Sequence, residues 1–179
     1  MKKILYIAIS LFLLAGCSNI SNTPTRQVEN FFNKYQTLDN DVLSDLDKVI
    51  DEEPKFNTTN KNEYREIIKK QYKNMLYKIK EETIDGDKAI VTVEITVLDF
   101  GKIMREAQDY KNNHIEEFKD ANGNYDENKY IDYLIPRLKE AKEKVKYTVD
   151  INLTKLDKKW KIDGIDSDTE DKILGIYEK

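Results

Sequence analysis

The residues that could do chemistry in this chain are few, because it has one histidine and one cysteine. A lone cysteine excludes an intramolecular disulfide and any multi-thiolate zinc site, and a lone histidine excludes a His-rich metal centre. His114 lies four residues from both Tyr110 and Phe118, so on a helix it could line an apolar pocket. Acid–base work there would need a partner and a pKa moved by burial, and Asp99 is the carboxylate that sequence position best allows. The plainer reading is a packed or surface histidine. Asp120, Asn122 and Asn124 place oxygen donors at positions one, three and five of an EF-hand-like loop. That match then fails: Tyr125 stands where the turn needs glycine, and Ile131 where a bidentate glutamate belongs. An ordinary helix–helix turn explains the same residues. Asp163, Asp166, Asp168, Glu170 and Asp171 gather carboxylates ahead of a short helix, where an anionic first turn complements the dipole. Most of the 11 tyrosines fall on apolar stripes and read as core. There is no Gly-rich phosphate loop and no Gly-x-Ser-x-Gly elbow.

The amino terminus carries a different chemistry. Lys2 and Lys3 precede an apolar stretch, Ile4 to Ala15, interrupted by Ser10 alone. At about 1.5 Å per residue such a helix falls short of a hydrocarbon core of about 30 Å, which marks a signal-peptide segment rather than a membrane span. The string Leu14-Ala15-Gly16-Cys17 resembles the bacterial lipobox. That resemblance implies a diacylglycerol on the Cys17 thiol and cleavage before it by a dedicated peptidase. Ala15 and Gly16 suit a protease that needs slim side chains beside the scissile bond. An ordinary secretory signal, or a buried strand with a free thiol, would explain less: charge, length, small residues and the sole cysteine all agree on the lipobox. The expected organisation is a signal peptide over 1–16, a lipidated cysteine and polar tether over 17–23, and one domain over 24–179. The expected location is the extracytoplasmic side of the cell membrane.

The composition bounds the rest. The 179 residues suit one domain, and 39% hydrophobic positions are enough for a core despite 36% charged ones. Removing Lys2 and Lys3 from 30 basic residues, against 34 acidic ones, moves the balance from −4 to −6. That sign argues against nucleic acid and leaves anchoring to acyl chains. Arg26, Arg65, Arg105 and Arg137 are the only arginines, and the Lys/Asn/Ile-rich style is typical of A/T-rich bacterial genomes.

The elements that must position the candidate residues follow from periodicity. Thr23-Pro24 is a helix start, and Val28, Phe31, Phe32, Tyr35 and Leu38 form one stripe. A second helix carries Val42, Leu43, Leu46, Val49 and Ile50; a third carries Tyr64, Ile67, Ile68 and Tyr72. The period then changes to two. Leu76 to Ile84 leads into Asp85-Gly86, a hairpin signal, and Ala89, Val91, Val93, Ile95 and Val97 return on one face. A helical insert follows, from Gly101 to Phe118 and from Glu127 to Lys144, with Pro136 expected to kink or split the second part. Val145 to Thr154 and Trp160 to Asp163 close the sheet, and a short helix ends the chain. The inward set should include Val91, Val93, Ile95, Tyr147, Val149, Ile151, Trp160 and Ile162.

Three motifs carry a wider resemblance: Val28-Glu-Asn-Phe-Phe32, Ile84-Asp-Gly-Asp87 and Lys159-Trp-Lys-Ile162. With helices leading into an antiparallel sheet, they make the chain similar to the cystatin-like cone of the nuclear-transport-factor-2-like superfamily. More narrowly, the chain resembles a group of lipoproteins of A/T-rich Gram-positive bacteria that carry this fold. The resemblance implies an α+β domain, with helices on one face of a curved four-stranded antiparallel sheet and a long helical insert between two hairpins. Enzymes of the superfamily place an Asp or an Asp–His pair inside the cone, the role His114 and Asp99 would take. The expected function is a non-enzymatic binding or assembly module, holding a protein, peptide or small ligand, with no cofactor and no nucleic acid. The alternative is an isomerase- or dehydratase-type enzyme working in an enclosed apolar pocket.

Overall fold

The structure, a computed structural model, describes residues 22–52 and 56–177. Every α-helix in it opens on a short polar side chain that accepts a backbone N–H, the way a helix start is stabilised. Thr23 caps α1 (Pro24–Thr37), Asp39 caps α2 (Asn40–Asp51) and Asn57 caps α3 (Thr58–Asn74). Asp99 caps α4 (Phe100–Asn113), Asp126 caps α5 (Glu127–Lys139) and Asp166 caps α6 (Ser167–Leu174). Four strands, β1 (Leu76–Asp85), β2 (Lys88–Leu98), β3 (Lys144–Leu156) and β4 (Lys159–Ile162), form an antiparallel meander in chain order. The sheet is open, with β1 and β4 as edges. The α+β class and the four antiparallel strands are as expected.

Alternation decides which face is covered. Val91, Val93 and Ile95 of β2 are fully buried, opposite Ile151, Val149 and Tyr147 of β3. Trp160 is 6% exposed, and Tyr147 and Ile162 are half-buried against the same core. The helices α1, α3 and α6 pack on this face, α2 and α5 pack on α3, and α4 pairs with α5. Phe31 and Tyr35 of α1 pack against this core, where Tyr35 meets Tyr72 edge-on at 4.9 Å and Phe32 stacks on Tyr77 at 5.1 Å.

A bulge in β1 has a structural consequence. The register shifts between Ile79 and Glu81, so the residues opposite the buried side chains of β2 change from half-buried Tyr77 and Ile79 to Glu82 and Ile84, which stay exposed at the sheet edge. Glu82 then reaches the first turn of α1, where its carboxylate accepts from the Thr25 N–H at 2.9 Å and the Thr25 hydroxyl at 2.6 Å. A carboxylate at a helix start is favourable to the dipole as well as to the unpaired amides.

The insert differs from expectation in two places. Its first helix stops at Asn113 instead of continuing to Phe118, because His114 leaves the helical region and a short 3₁₀ turn (Ile115–Phe118) follows. Asn112 and Asn113, with local hydrogen bonding of their own, are poor residues for continuing a helix. The second, α5, is one helix that ends at Lys139, not two and not reaching Lys144. Pro136 lies in its last turn, where the hydrogen bond it removes would have gone to the carbonyl of exposed Asp132, which water can satisfy. Both ends of the insert are pinned together where it leaves the sheet, the Asp99 N–H donating to the Glu143 carbonyl at 2.9 Å.

Buried Gln71 organises that junction. Its side-chain N–H groups donate to the carbonyls of Leu98 (2.9 Å) and Leu174 (2.8 Å), and its carbonyl accepts the Leu98 N–H (2.9 Å). Gly175, at φ +75°, sits against the same carbonyl of Leu98, where a Cβ would come within 2.1 Å. One side chain thus ties α3, the end of β2 and the end of α6 together.

Candidate functional site

Asp99 and His114 cap opposite ends of α4, 14 residues long, or about 21 Å at the ordinary helical rise. Asp99 is occupied with the helix start, its Oδ1 accepting from the Lys102 N–H at 2.8 Å. His114 is exposed, stacked on the Tyr110 ring at 4.2 Å, with its Nδ1 3.6 Å from a Glu117 carboxylate oxygen. The fold does not bring the two together, and neither lies in an enclosed apolar cavity.

The Asp120 loop ties its own turn. Asp120 Oδ1 accepts from the N–H groups of Asn122 (2.8 Å) and Asn124 (2.9 Å), and its own N–H donates to the Asn124 carbonyl at 2.7 Å. These backbone hydrogen bonds hold the Asp120 carboxyl below the usual carboxylate range. Among the described residues, no group of three or more His, Cys, Asp or Glu side chains is placed to hold a metal ion. The carboxylates before α6 likewise have local work. Hydrogen bonding from the Thr169 side chain, together with the Thr169 N–H at 2.7 Å, lowers the pKa of Asp166, and Asp163 lies 3.7 Å from Lys88 Nζ. They border a shallow cleft of about 320 Å³ between β3 and the loop entering α6.

A cleft of similar size, about 330 Å³, opens between α4 and α5. Ile103, Ala107 and Tyr110 line one wall, Tyr133 and Arg137 the other, with Glu106 and Glu140 beside them. Its organising feature is a stack of flat side chains. The Arg137 guanidinium lies 3.2 Å from the Tyr133 ring centre. Tyr133 lies parallel to Tyr110 at 4.7 Å and 11°, and Tyr110 in turn carries His114. Two i,i+4 pairs, Tyr110/His114 and Tyr133/Arg137, make this possible, because residues so spaced share a helix face. Phe118, 3% exposed, sits edge-on beneath Tyr133 at 5.5 Å and fixes the rings from behind. Arg137 Nη1 donates to the Tyr133 carbonyl at 2.6 Å, which holds the guanidinium plane. The Tyr110 hydroxyl is hydrogen-bonded to the Glu117 carboxylate, and this contact raises its pKa. The arrangement can stack against a flat group and donate hydrogen bonds from a guanidinium between two carboxylates. Sequence reading missed Tyr133 and Arg137, because both lie off the apolar stripe of α5. Their spacing was the available signal.

Leu14, Ala15, Gly16 and Cys17 lie outside the described residues. Asn22, where the described chain begins, accepts the Trp160 N–H through its side-chain oxygen at 2.6 Å. Among the described residues, no helix is long and apolar enough to cross a membrane.

Comparison with known proteins bears on the amino terminus. A model of the prokaryotic membrane lipoprotein lipid attachment site matches residues 1–18. No curated protein sequence matches the chain. Among solved structures, ycdA of Bacillus subtilis, provisionally described as a lipoprotein, is similar at 16% identity and a TM-score of 0.43. That match covers 85% of this chain but 47% of the other, so the chain spans about half of that protein's length. The attachment site over residues 1–18 makes the chain a membrane-tethered lipoprotein, anchored through a lipid on its cysteine.

Proposed function

We propose that this lipoprotein is a non-enzymatic binding or assembly module on the outer face of the cytoplasmic membrane. In this reading residues 1–16 are removed, 17–23 form the lipidated tether, and 24–179 form the working domain, a member of the cystatin-like group. The observation that carries the proposal is the α4–α5 cleft, where Arg137, Tyr133 and Tyr110 form a preorganised stack at the surface. Tyrosine and arginine dominate binding energy at protein interfaces, because they offer large rigid contact area and directed hydrogen bonds. A ligand gains most where such groups are already ordered, since less freedom is lost on binding. The partner that fits is a peptide or protein segment offering a flat side chain and a carbonyl or carboxylate to Arg137. The separated Asp99 and His114 lend no support to the isomerase-type alternative.

Affinity capture with the lipidated chain in its own membrane, repeated with Arg137→Ala and Tyr133→Ala, tests the reading. The expected result is a partner recovered with the parent chain and reduced at least about 10-fold by either substitution, the range of an interface hot spot. Equal recovery with all three chains, or turnover of a small carbonyl compound abolished by His114→Ala, would overturn it.

A further inference from the structure

We infer that the end of the sheet carrying both hairpin turns is a docking surface for the bilayer that holds the lipid, an inference that rests on the anchoring of Cys17. Five residue steps separate Cys17 from Asn22, a reach of at most about 18 Å even at full extension. Where that reach begins is fixed by three contacts. Asn22 is held on the backbone of Trp160 in β4 at 2.6 Å, and Thr25 is held by Glu82 of β1 at 2.9 and 2.6 Å. Trp160 pairs across β4 with Lys155, and the Lys155 N–H donates to the Asp87 carbonyl at 2.8 Å. The anchor therefore leaves the domain beside the turns 85–88 and 156–159, whereas the far end of β2 at Leu98 lies about 33 Å away along the strand.

The side chains at the near end suit a lipid surface. Ile84, Ile90 and Leu156 are 51%, 43% and 50% exposed. Around them Lys88, Lys155, Lys158 and Lys159 stand against Asp85, Asp87, Asp157 and Asp163, the last 3.7 Å from Lys88 Nζ, so this end is balanced in charge although the chain as a whole is negative. Lysine stems can lie along apolar surface with their ammonium groups at the headgroups, so this mixture fits an interface between hydrocarbon and water. A bilayer is the occupant that the short tether places here at high local concentration. The same geometry puts the root of the insert, at Asp99 and Glu143, on the end away from the membrane, where the α4–α5 cleft is rooted.

The chain has a single cysteine, so in the lipidated protein an introduced cysteine is the only free thiol. Ile84→Cys and Leu156→Cys probe the near end. Leu76→Cys and Met104→Cys probe the far end at positions that are also exposed and apolar, at 58% and 38%. Each lipidated full chain is labelled with a fluorophore and reconstituted into phosphatidylcholine–phosphatidylglycerol vesicles carrying nitroxide-labelled lipid. Loss of fluorescence at positions 84 and 156, with none at 76 and 104, is the expected result. Equal quenching at all four positions, or none at 84 and 156 in chains that float with the vesicles, would overturn the docking surface alone. Shielding of 84 and 156 from water without quenching by lipid would show a protein in that place and would also overturn it. A lipid-labelled parent chain that fails to float would overturn the anchoring itself.

Discussion

Replacing Gln71 by leucine tests whether one buried amide holds the junction of three elements. The substitution keeps the approximate size of the side chain but removes both donors and the acceptor. The carbonyls of Leu98 and Leu174 and the N–H of Leu98 then lose partners at 2.8–2.9 Å in a site where Gln71 is wholly buried. A buried polar group left without a partner costs about 1–3 kcal/mol, so three of them amount to about 3 kcal/mol at the lower bound. Relaxation and entry of water limit the upper end, and the expected loss is about 3–5 kcal/mol, a large part of a typical domain's stability. Ile68→Val, in the same helix and equally buried, removes a methyl group alone and should cost about 0.5–1.5 kcal/mol. Urea unfolding, followed by the fluorescence of the sole tryptophan and by far-ultraviolet circular dichroism, measures both. Hydrogen exchange adds a local readout, since the Leu98 amide should lose protection ahead of the sheet centre. A loss from Gln71→Leu no larger than that from Ile68→Val would refute the reasoning.

Other perturbations follow from the same structure. Trp160→Ala should destabilise by about 3–5 kcal/mol in urea unfolding followed by circular dichroism, since the ring is 6% exposed in the core. Gly175→Ala should cost at least the 1–2 kcal/mol or so of a left-handed backbone at φ +75°, plus the collision with the Leu98 carbonyl; a thermal melt unchanged from the parent would contradict this. Burial raises the Tyr72 phenol well above its ordinary value of 10.0, so the unfolded chain ionises first, and the stabilisation present below pH 10 is lost as pH rises beyond it. Tyr72→Phe should therefore shrink the drop in urea midpoint between neutral pH and about pH 11, the interval above the ordinary tyrosine pKa. Cys17→Ala should abolish metabolic fatty-acid labelling and leave the precursor uncleaved, as expected for a lipid attachment site over residues 1–18.

The first helix start and the sheet's buried face were legible because their causes are local. Thr23 caps α1 from three residues away, and Val91, Val93 and Ile95 alternate with polar neighbours on the same strand. The Asp120 turn was legible for the same reason. The candidate cleft was not. Tyr110 and His114 stood out as neighbours on one helix, but their meeting with Tyr133 and Arg137 depends on how α4 and α5 pair across an intervening 3₁₀ turn. Where α4 ended was equally out of reach, because Phe118 continues the helical spacing by eye while the backbone has already turned at His114.

By itself the sequence determined the lipid anchor, the class of fold and the inward face of β2 and β3. A lipobox is read by enzymes as a linear string, and a period of two needs no partner to be recognised. Only the tertiary structure decided the role of Gln71, an unremarkable polar residue on α3 until Leu98 and Leu174 arrive around it from 27 and 103 positions away. It alone decided that Glu82 meets Thr25 of α1, because a one-residue bulge is defined by its pairing with the strand opposite. It also decided that Asn22 begins beside Trp160, 138 positions away, and hence which end of the sheet the tether holds near the membrane. These contacts join residues far apart in the chain, and their energy exists only once the rest of the fold has brought them into register.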